Sequence, residues 1–509
     1  ASHQEESNDA DRNRIDLHRR DDDGDRLRVQ RNHADCIARI RDTAEAVAIG
    51  DGRSAVGLDE CIGARRNENR RVRGHAPKGV AHVAHGPIIA HRYTCTVGRQ
   101  SVRHVLIVNQ HGDNRGDEAA LHGMLTGVSR AAGEPVSFTV IHQFADDRSA
   151  RELAASAGFD VEWITLKLRP FEALRLVLFL VFRVNGLLGR VGAATIAAYR
   201  RADVVVSAPG GPYFGDLYIG HEAVHWLYVW MARFHRKPAI LYATSAGPFD
   251  TAWAAPFRRF TYRCFDSIYV REEISAAHIR ALFGTRRRNV TVNVSVDAAL
   301  QVAVPPSPRD GDRRRVVVSA IDWKYPGDPA PDARRAVYDE SVAAAVAELC
   351  GGEPSEVILV PQLHGTAHRD APYLEALALC IRDAVPSDVV SVSVFDESRD
   401  MLAQRALFAS ADFVVAGRYH PAVFALSAGV PQVCIPYEHK ATGVLALAGL
   451  SDVVVPIDEV TRERLADVAK HVVAHADDVR ARSAAAAARL RDLSATTSRA
   501  VVDLMDGSL

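Results

Sequence analysis

Arg418, Tyr419 and His420 stand directly behind an apolar run, Phe413 to Ala416, with only Gly417 between. A second run, Val433 to Ile435, is followed by Tyr437, Glu438, His439 and Lys440. Arginine offers a planar fork that grips a phosphate or carboxylate through two hydrogen bonds. Histidine exchanges a proton near neutral pH. Cations of this kind at two neighbouring positions suit an anionic substrate and proton transfer to it. The plainer reading is a structural arginine with a satisfied histidine, and an exposed loop around His439 and Lys440. The repetition of the pattern favours a site.

Three further stretches have chemistry-bearing residues after a short apolar run. Asn114-Arg115-Gly116-Asp117-Glu118 combines a turn-forming glycine with two carboxylates at a helix start. Carboxylates there are favoured by the helix dipole, so a capped helix is one reading; recognition or deprotonation of sugar hydroxyls is the other. Ser207 to Asp216 holds Gly210 and Gly211, which let a ligand approach main chain, and Asp216, which can bind hydroxyls. In Tyr269 to Ser275, Arg271 is the first residue past a strand. It reads either as a surface arginine or as a cation aimed into a cleft. There is no G-x-G-x-x-G, which argues against a nicotinamide or flavin site. His75, His82, His85 and His91 lack acidic or cysteine partners, so no metal site is expected.

These residues need elements to hold them. Strands are predicted at 104–110, 137–142, 161–164, 204–207, 239–244, 267–270 and 290–294, and then at 316–321, 356–361, 389–392, 413–416, 433–435 and 452–455. Helices fill the gaps, one of them starting at Pro421, a residue suited to a first helical position. Strand–helix alternation implies parallel sheets covered on both faces, with ligands at the carboxyl edge of the strands. The fold class read from this is α/β: two Rossmann-like domains facing across a cleft in a GT-B-type arrangement, with a disordered N-terminal extension. The expected boundaries are 1–100 for that extension, 101–302 for the first domain (acceptor side), 303–315 for a linker, 316–458 for the second domain (donor side) and 459–509 for a closing helical segment.

The extension, either disordered or spurious, has only three leucines, no Phe or Trp and Tyr93 as its one aromatic residue, too little to bury a core. Residues 174–182, LRLVLFLVF, are too short to span a bilayer. They read as a buried helix or, with Leu187 to Gly189, as an interfacial helix giving peripheral membrane contact. A formal net charge of −1 gives no reason to expect nucleic acid. Seven scattered cysteines without a CxxC pair favour a reducing compartment.

Taken in order, NRGDEA at 114–119, PGGPYFGD at 209–216, YVREEIS at 269–275, VDAAL at 296–300, VPQLHG at 360–365 and residues 411–443 resemble the polysaccharide pyruvyl transferase family. The chain departs from it at Pro212, where many members have a third glycine; proline removes an N–H donor there. The resemblance implies transfer of pyruvate from phosphoenolpyruvate to two hydroxyls of a glycan sugar, as a ketal, with release of phosphate. It implies no cofactor beyond phosphoenolpyruvate as co-substrate and no metal. Arg271, Arg418, His420 and Lys440 would bind the donor, with His420 and Arg418 catalytic. Asn114, Gly116, Asp117, Glu118, Gly210, Gly211 and Asp216 would meet the acceptor, a glycan or lipid-linked oligosaccharide. The expected location is cytoplasmic, at the inner face of the membrane if the 174–189 stretch is interfacial. A GT-B glycosyltransferase using a nucleotide sugar, and an inert glycan-binding protein of the same fold, remain open alternatives.

Overall fold

Strand β1 (Arg103–Gln110) runs through the middle of the first sheet, and its residues from Val105 to Gln110 are all buried. In the computed structural model the described residues are 102–142, 148–166, 175, 178, 190–216, 219–284, 290–304, 311–365 and 369–508. The expected extension, most of the apolar stretch 174–189 and the middle of the expected linker, 305–310, lie outside them.

β1 pairs with β2 (Val136–His142) and β4 (Val204–Ser207); β3 (Asp160–Thr165), β5 (Gly210–Phe214), β6 (Ala239–Ala246), β7 (Ser267–Val270) and β8 (Asn293–Val294) complete the sheet. Its order is β3-β2-β1-β4-β6-β7-β8, with β5 paired to β6, and the pairings are parallel. The second sheet, also parallel, has the order β11-β10-β9-β12-β13, from β9 (Arg314–Ser319), β10 (Ser355–Leu359), β11 (Val390–Val394), β12 (Phe413–Ala416) and β13 (Gln432–Cys434). Val316 to Val318 and Val414 to Ala416 are wholly buried, as strands covered by helices on both faces require. In both sheets the strands that come first and fourth in the chain are neighbours, β1/β4 and β9/β12, and the strand order reverses between them. The loops leaving those strands are where such sheets bind ligands.

The structure differs from the sequence reading at four places. β5 lies where no strand was predicted, in the stretch with Gly210 and Gly211; it pairs with β6, and Thr244 Oγ1 donates to the Gly211 carbonyl at 2.8 Å. The strand expected at 452–455 is a 3₁₀ turn, Ser451–Val453, and one bridge from Val454 to Cys434. The helix expected to start at Pro421 starts at Tyr419, with Arg418 as its extended N-cap, so proline sits within the first turn, where it loses no helical hydrogen bond. β9 starts at Arg314, inside the expected linker, because Arg314 N–H bonds the Pro354 carbonyl and its guanidinium bonds those of Leu349 and Cys350.

The last helix, Ala476–Met505, braces both domains. Arg482 pairs with Asp452 of the second domain at 2.8 Å. Further along, Ser498 Oγ meets Tyr242 Oη at 2.6 Å, Thr497 Oγ1 donates to Ser295 Oγ at 2.8 Å, and Ser494 Oγ donates to the Asp297 carbonyl at 3.1 Å. Small side chains on this stripe let the helix lie close to the first domain. Among the described residues no helix is long and apolar enough to cross a membrane.

Candidate active site

Gly417 lets the chain leave β12 close to its neighbours: a side chain there would meet Tyr338 Oη at 2.7 Å and the Ser319 carbonyl at 2.9 Å. Arg418, Tyr419, His420 and Pro421 then form the cap and first turn of helix Tyr419–Ala428 and line a cavity of about 210 Å³. First-turn N–H groups with a positive dipole end attract anions. Arg418 Nη2 is held by Asp370, whose other oxygen accepts the Gln362 and Leu363 N–H groups at 3.0 Å. Arg418 Nε is buried without a hydrogen-bond partner. Lys440, in the first turn of helix His439–Ala448, reaches the same cavity; its Nζ lies 2.8 Å from Glu438.

The opposite wall comes from the first domain. Asn114 caps helix Arg115–Ala132 by accepting the Gly116 N–H at 2.8 Å. Asp117, in the first turn, is buried and lines the cavity. Burial raises its pKa to about 6 against the opposing charges of His420, Arg271 and Lys440. Arg271 leaves the end of β7 fully buried, donating from Nε to Ser245 Oγ at 2.8 Å and from Nη1 to Asp297 at 2.7 Å. The Tyr419 ring of the second domain lies 4.2 Å from its guanidinium carbon. Burial would raise the Asp297 pKa, but His420, Arg271 and the Ala299 N–H outweigh it and hold the carboxyl well below its ordinary range.

His420 is where the walls meet. Its Nε2 stands 3.6 Å from Asp297 Oδ2, a charge contact longer than a hydrogen bond. Its Nδ1 stands over Gly116, at the position a side chain would take. Main-chain contacts seal the seam alongside: Asn114 bridges Leu363, Arg115 N–H donates to the Gln362 carbonyl at 3.1 Å, and His364 N–H donates to the Asp113 carbonyl at 3.1 Å. His439 faces the first domain too, 3.6 Å from buried Glu272.

The structure thus brings Asn114, Asp117, Gly211, Arg271, Arg418, His420 and Lys440 to one cavity. Gly116 packs behind it. Glu118 is turned away into a pair with Arg115 at 2.7 Å, and His364 lies 3.3 Å off. Asp216 is bound by Arg258 at 2.8 Å and by the Thr251 N–H at 3.1 Å, and Gly210 accepts from Thr244 at 3.2 Å; neither lines the cavity. Sequence reasoning did not single out Asp297, Asp370 or His111. The first two are lone acids before helical turns, a signal shared by every capped helix. His111 lines the cavity and meets His225 with Nε2 atoms 3.1 Å apart. Burial, then the neighbouring His225 and His221, hold its pKa down to about 3, so it is neutral at physiological pH.

Two Rossmann-like domains closing on a cationic pocket at their switch points define a GT-B-type α/β protein. Within that class the chain belongs to the polysaccharide pyruvyl transferase family, whose family model matches residues 114–439. It is 24% identical over 264 residues to the amylovoran biosynthesis protein AmsJ of Erwinia amylovora, a match covering 50% of this chain and 61% of that one. The chain therefore spans about three-fifths of the length of that curated relative. Among solved structures, a putative UDP-N-acetylglucosamine 2-epimerase of Listeria monocytogenes is similar at 12% identity and TM-score 0.48, over 77% of this chain and 95% of that one. The UDP-GlcNAc 2-epimerase of Neisseria meningitidis is similar at 11% identity and TM-score 0.48, over 79% and 100%.

Proposed function

We propose that the protein transfers pyruvate from phosphoenolpyruvate to two hydroxyls of a glycan sugar, as a cyclic ketal. The observation that carries this is the meeting of Arg418, His420 and Lys440 with Arg271 and Asp117 in one cavity. The donor's carboxylate and phosphate need several cations and the N–H groups of a helix start; this pocket offers both. Arg418 Nε and the first turn of helix Tyr419–Ala428 bind one anionic group, and Arg271 and Lys440 face the other.

The chemistry balances as follows. His420 delivers a proton to the methylene carbon of the enol, and the ketal carbon becomes electrophilic. An acceptor hydroxyl attacks it while Asp117 takes the hydroxyl proton. The bond from that carbon to the phosphate oxygen breaks, and the second hydroxyl closes the ring. Of the two hydroxyl protons, one makes good the methyl group and one leaves with phosphate. Asp117 fits the base role because a carboxylate titrating near 6 is a stronger base than an exposed one and still ionised at pH 7. Glu118 and Asp216, each held in an ion pair outside the cavity lining, are assigned the positioning of the acceptor wall. Phosphoenolpyruvate belongs to the cell interior, so the reaction is assigned there, on a glycan or its lipid-linked precursor.

Incubation with phosphoenolpyruvate and a panel of galactosides, glucosides and mannosides tests this. Phosphate release coupled to an acid-labile mass gain on the sugar is expected. Consumption of a nucleotide sugar instead, or sugar binding without turnover of any donor, rejects it.

A further inference from the structure

Trp253, Phe257 and Phe260 are 61%, 45% and 52% exposed, and they are three of the six large apolar side chains exposed among the described residues. They stand on the 3₁₀ turn Ala252–Ala254 and helix Ala255–Tyr262. The face is built, not frayed. Trp226, from helix Ile219–Phe234, stacks on Phe257 with ring centres 5.4 Å apart and planes at 11°. The same ring meets Trp253 edge-on at 6.5 Å, and Trp230 meets Phe260 edge-on at 5.5 Å. Trp230 Nε1 donates to Thr261 Oγ1 at 2.9 Å, which fixes the under-layer.

Charge selects the occupant. Residues 251–265 contain no carboxylate, with Asp250 and Asp266 exposed at their two ends; Arg259 and Arg263 are exposed on the same segment, Arg259 Nε donating to the Leu282 carbonyl at 2.7 Å and Arg263 lying 5.3 Å from the Phe283 ring centre, and Arg233 is exposed on the neighbouring helix. Exposed aromatic rings in a segment whose own charges are all arginine match the boundary of a bilayer, rings at the acyl edge and guanidinium groups towards lipid phosphates. We infer that this face docks the protein on an anionic lipid surface. The other arginine of the helix shows why docking there would matter. Arg258 is fully buried and holds Glu222 at 2.7 Å and Asp216 at 2.8 Å. Asp216 ends the segment in which Gly211 lines the cavity, so the docked helix and the acceptor wall are one rigid piece. The inference extends the proposed function to a membrane-borne acceptor, but docking is read without any turnover.

The test is co-sedimentation of the full chain with phosphatidylcholine vesicles, with and without phosphatidylglycerol. Binding that needs the anionic lipid and weakens with salt is expected. The triple variant Trp253→Ser, Phe257→Ser, Phe260→Ser should bind at least about tenfold more weakly, since each ring loses its apolar contact with lipid. Arg259→Gln with Arg263→Gln should cost about fivefold per arginine at low salt. Both should keep turnover on a water-soluble acceptor; the triple variant should melt lower, since Trp226 and Trp230 lose their ring contacts, yet remain folded at the assay temperature. Wild-type protein that ignores vesicles, or a triple variant that binds them unchanged, overturns the inference. So does a wild-type protein that self-associates through this face and becomes monomeric in the triple variant without ever binding vesicles. Vesicle binding without phosphoenolpyruvate turnover would reject only the function, and turnover without vesicle binding only the docking.

Discussion

The His420 imidazole fills the space in which residue 116 would carry a side chain: a Cβ on Gly116 would lie 1.8 Å from His420 Nδ1. The glycine of the first domain thus makes the seat of a histidine from the second. Gly116→Ala drives a methyl group into that buried ring, so the histidine must swing aside and stability should fall by about 1–3 kcal/mol, the usual cost of overpacking. Turnover should fall at least about tenfold, as expected when a reacting group is displaced by an ångström or more. In a His420→Ala background the same change should cost little. An additive double variant would show that Gly116 acts elsewhere.

His420→Ala should lower kcat by about 10²–10⁴-fold, the range for a lost general acid, with the KM for phosphoenolpyruvate little changed. Steady-state kinetics with phosphate detection reads both. A normal kcat with a raised KM would make His420 a binding residue only.

On the proposed mechanism, Asp117 should set the acidic limb of the pH profile. Its folded pKa, about 6, lies above the unfolded value of 3.8. The protonated form is favoured by folding, so its contribution is full below pH 3.8 and is lost as pH rises through about 6. Asp117→Asn should therefore gain on wild type as pH rises from 4 to 8, by up to about 3 kcal/mol, while turnover is lost. Denaturant melts at the two pH values and a kcat profile check this. Equal stability differences at both would contradict the raised pKa.

Asp297 has the opposite sign. Its folded pKa is depressed, so its contribution is present above the ordinary carboxylate range and is lost as pH falls through the folded value. Asp297→Asn leaves Arg271 buried without its carboxylate, which should cost about 3–5 kcal/mol at pH 7. Thermal melts read the loss, which should shrink on acidification. A variant as stable as wild type at pH 7 would mean that Glu272, 3.6 Å from Arg271, takes over.

The parts of this fold legible from sequence were those written in local pattern. Phe413 to Ala416, bounded by Ala-Asp and Gly, is a buried strand in both the reading and the structure. Arg418 and His420 stood out because charge follows such a strand directly. Long-range partners were not legible. Nothing near Asp297 states that Arg271 and His420 will converge on it, because those contacts depend on how one sheet faces the other. β5 was hidden because Gly-Gly-Pro reads locally as a turn, and only pairing with β6 makes it a strand.

The helix Ala476–Met505 couples the two halves of the cleft mechanically. Ser494 holds the main chain of Asp297, and Thr497 and Ser498 hold Ser295 and Tyr242 beside it. Nearer its start the same helix grips the second domain through Arg482 and Asp452. The walls around Arg271 and His420 therefore cannot swing apart as free bodies: any opening must bend this helix or strip it from one of the two sheets.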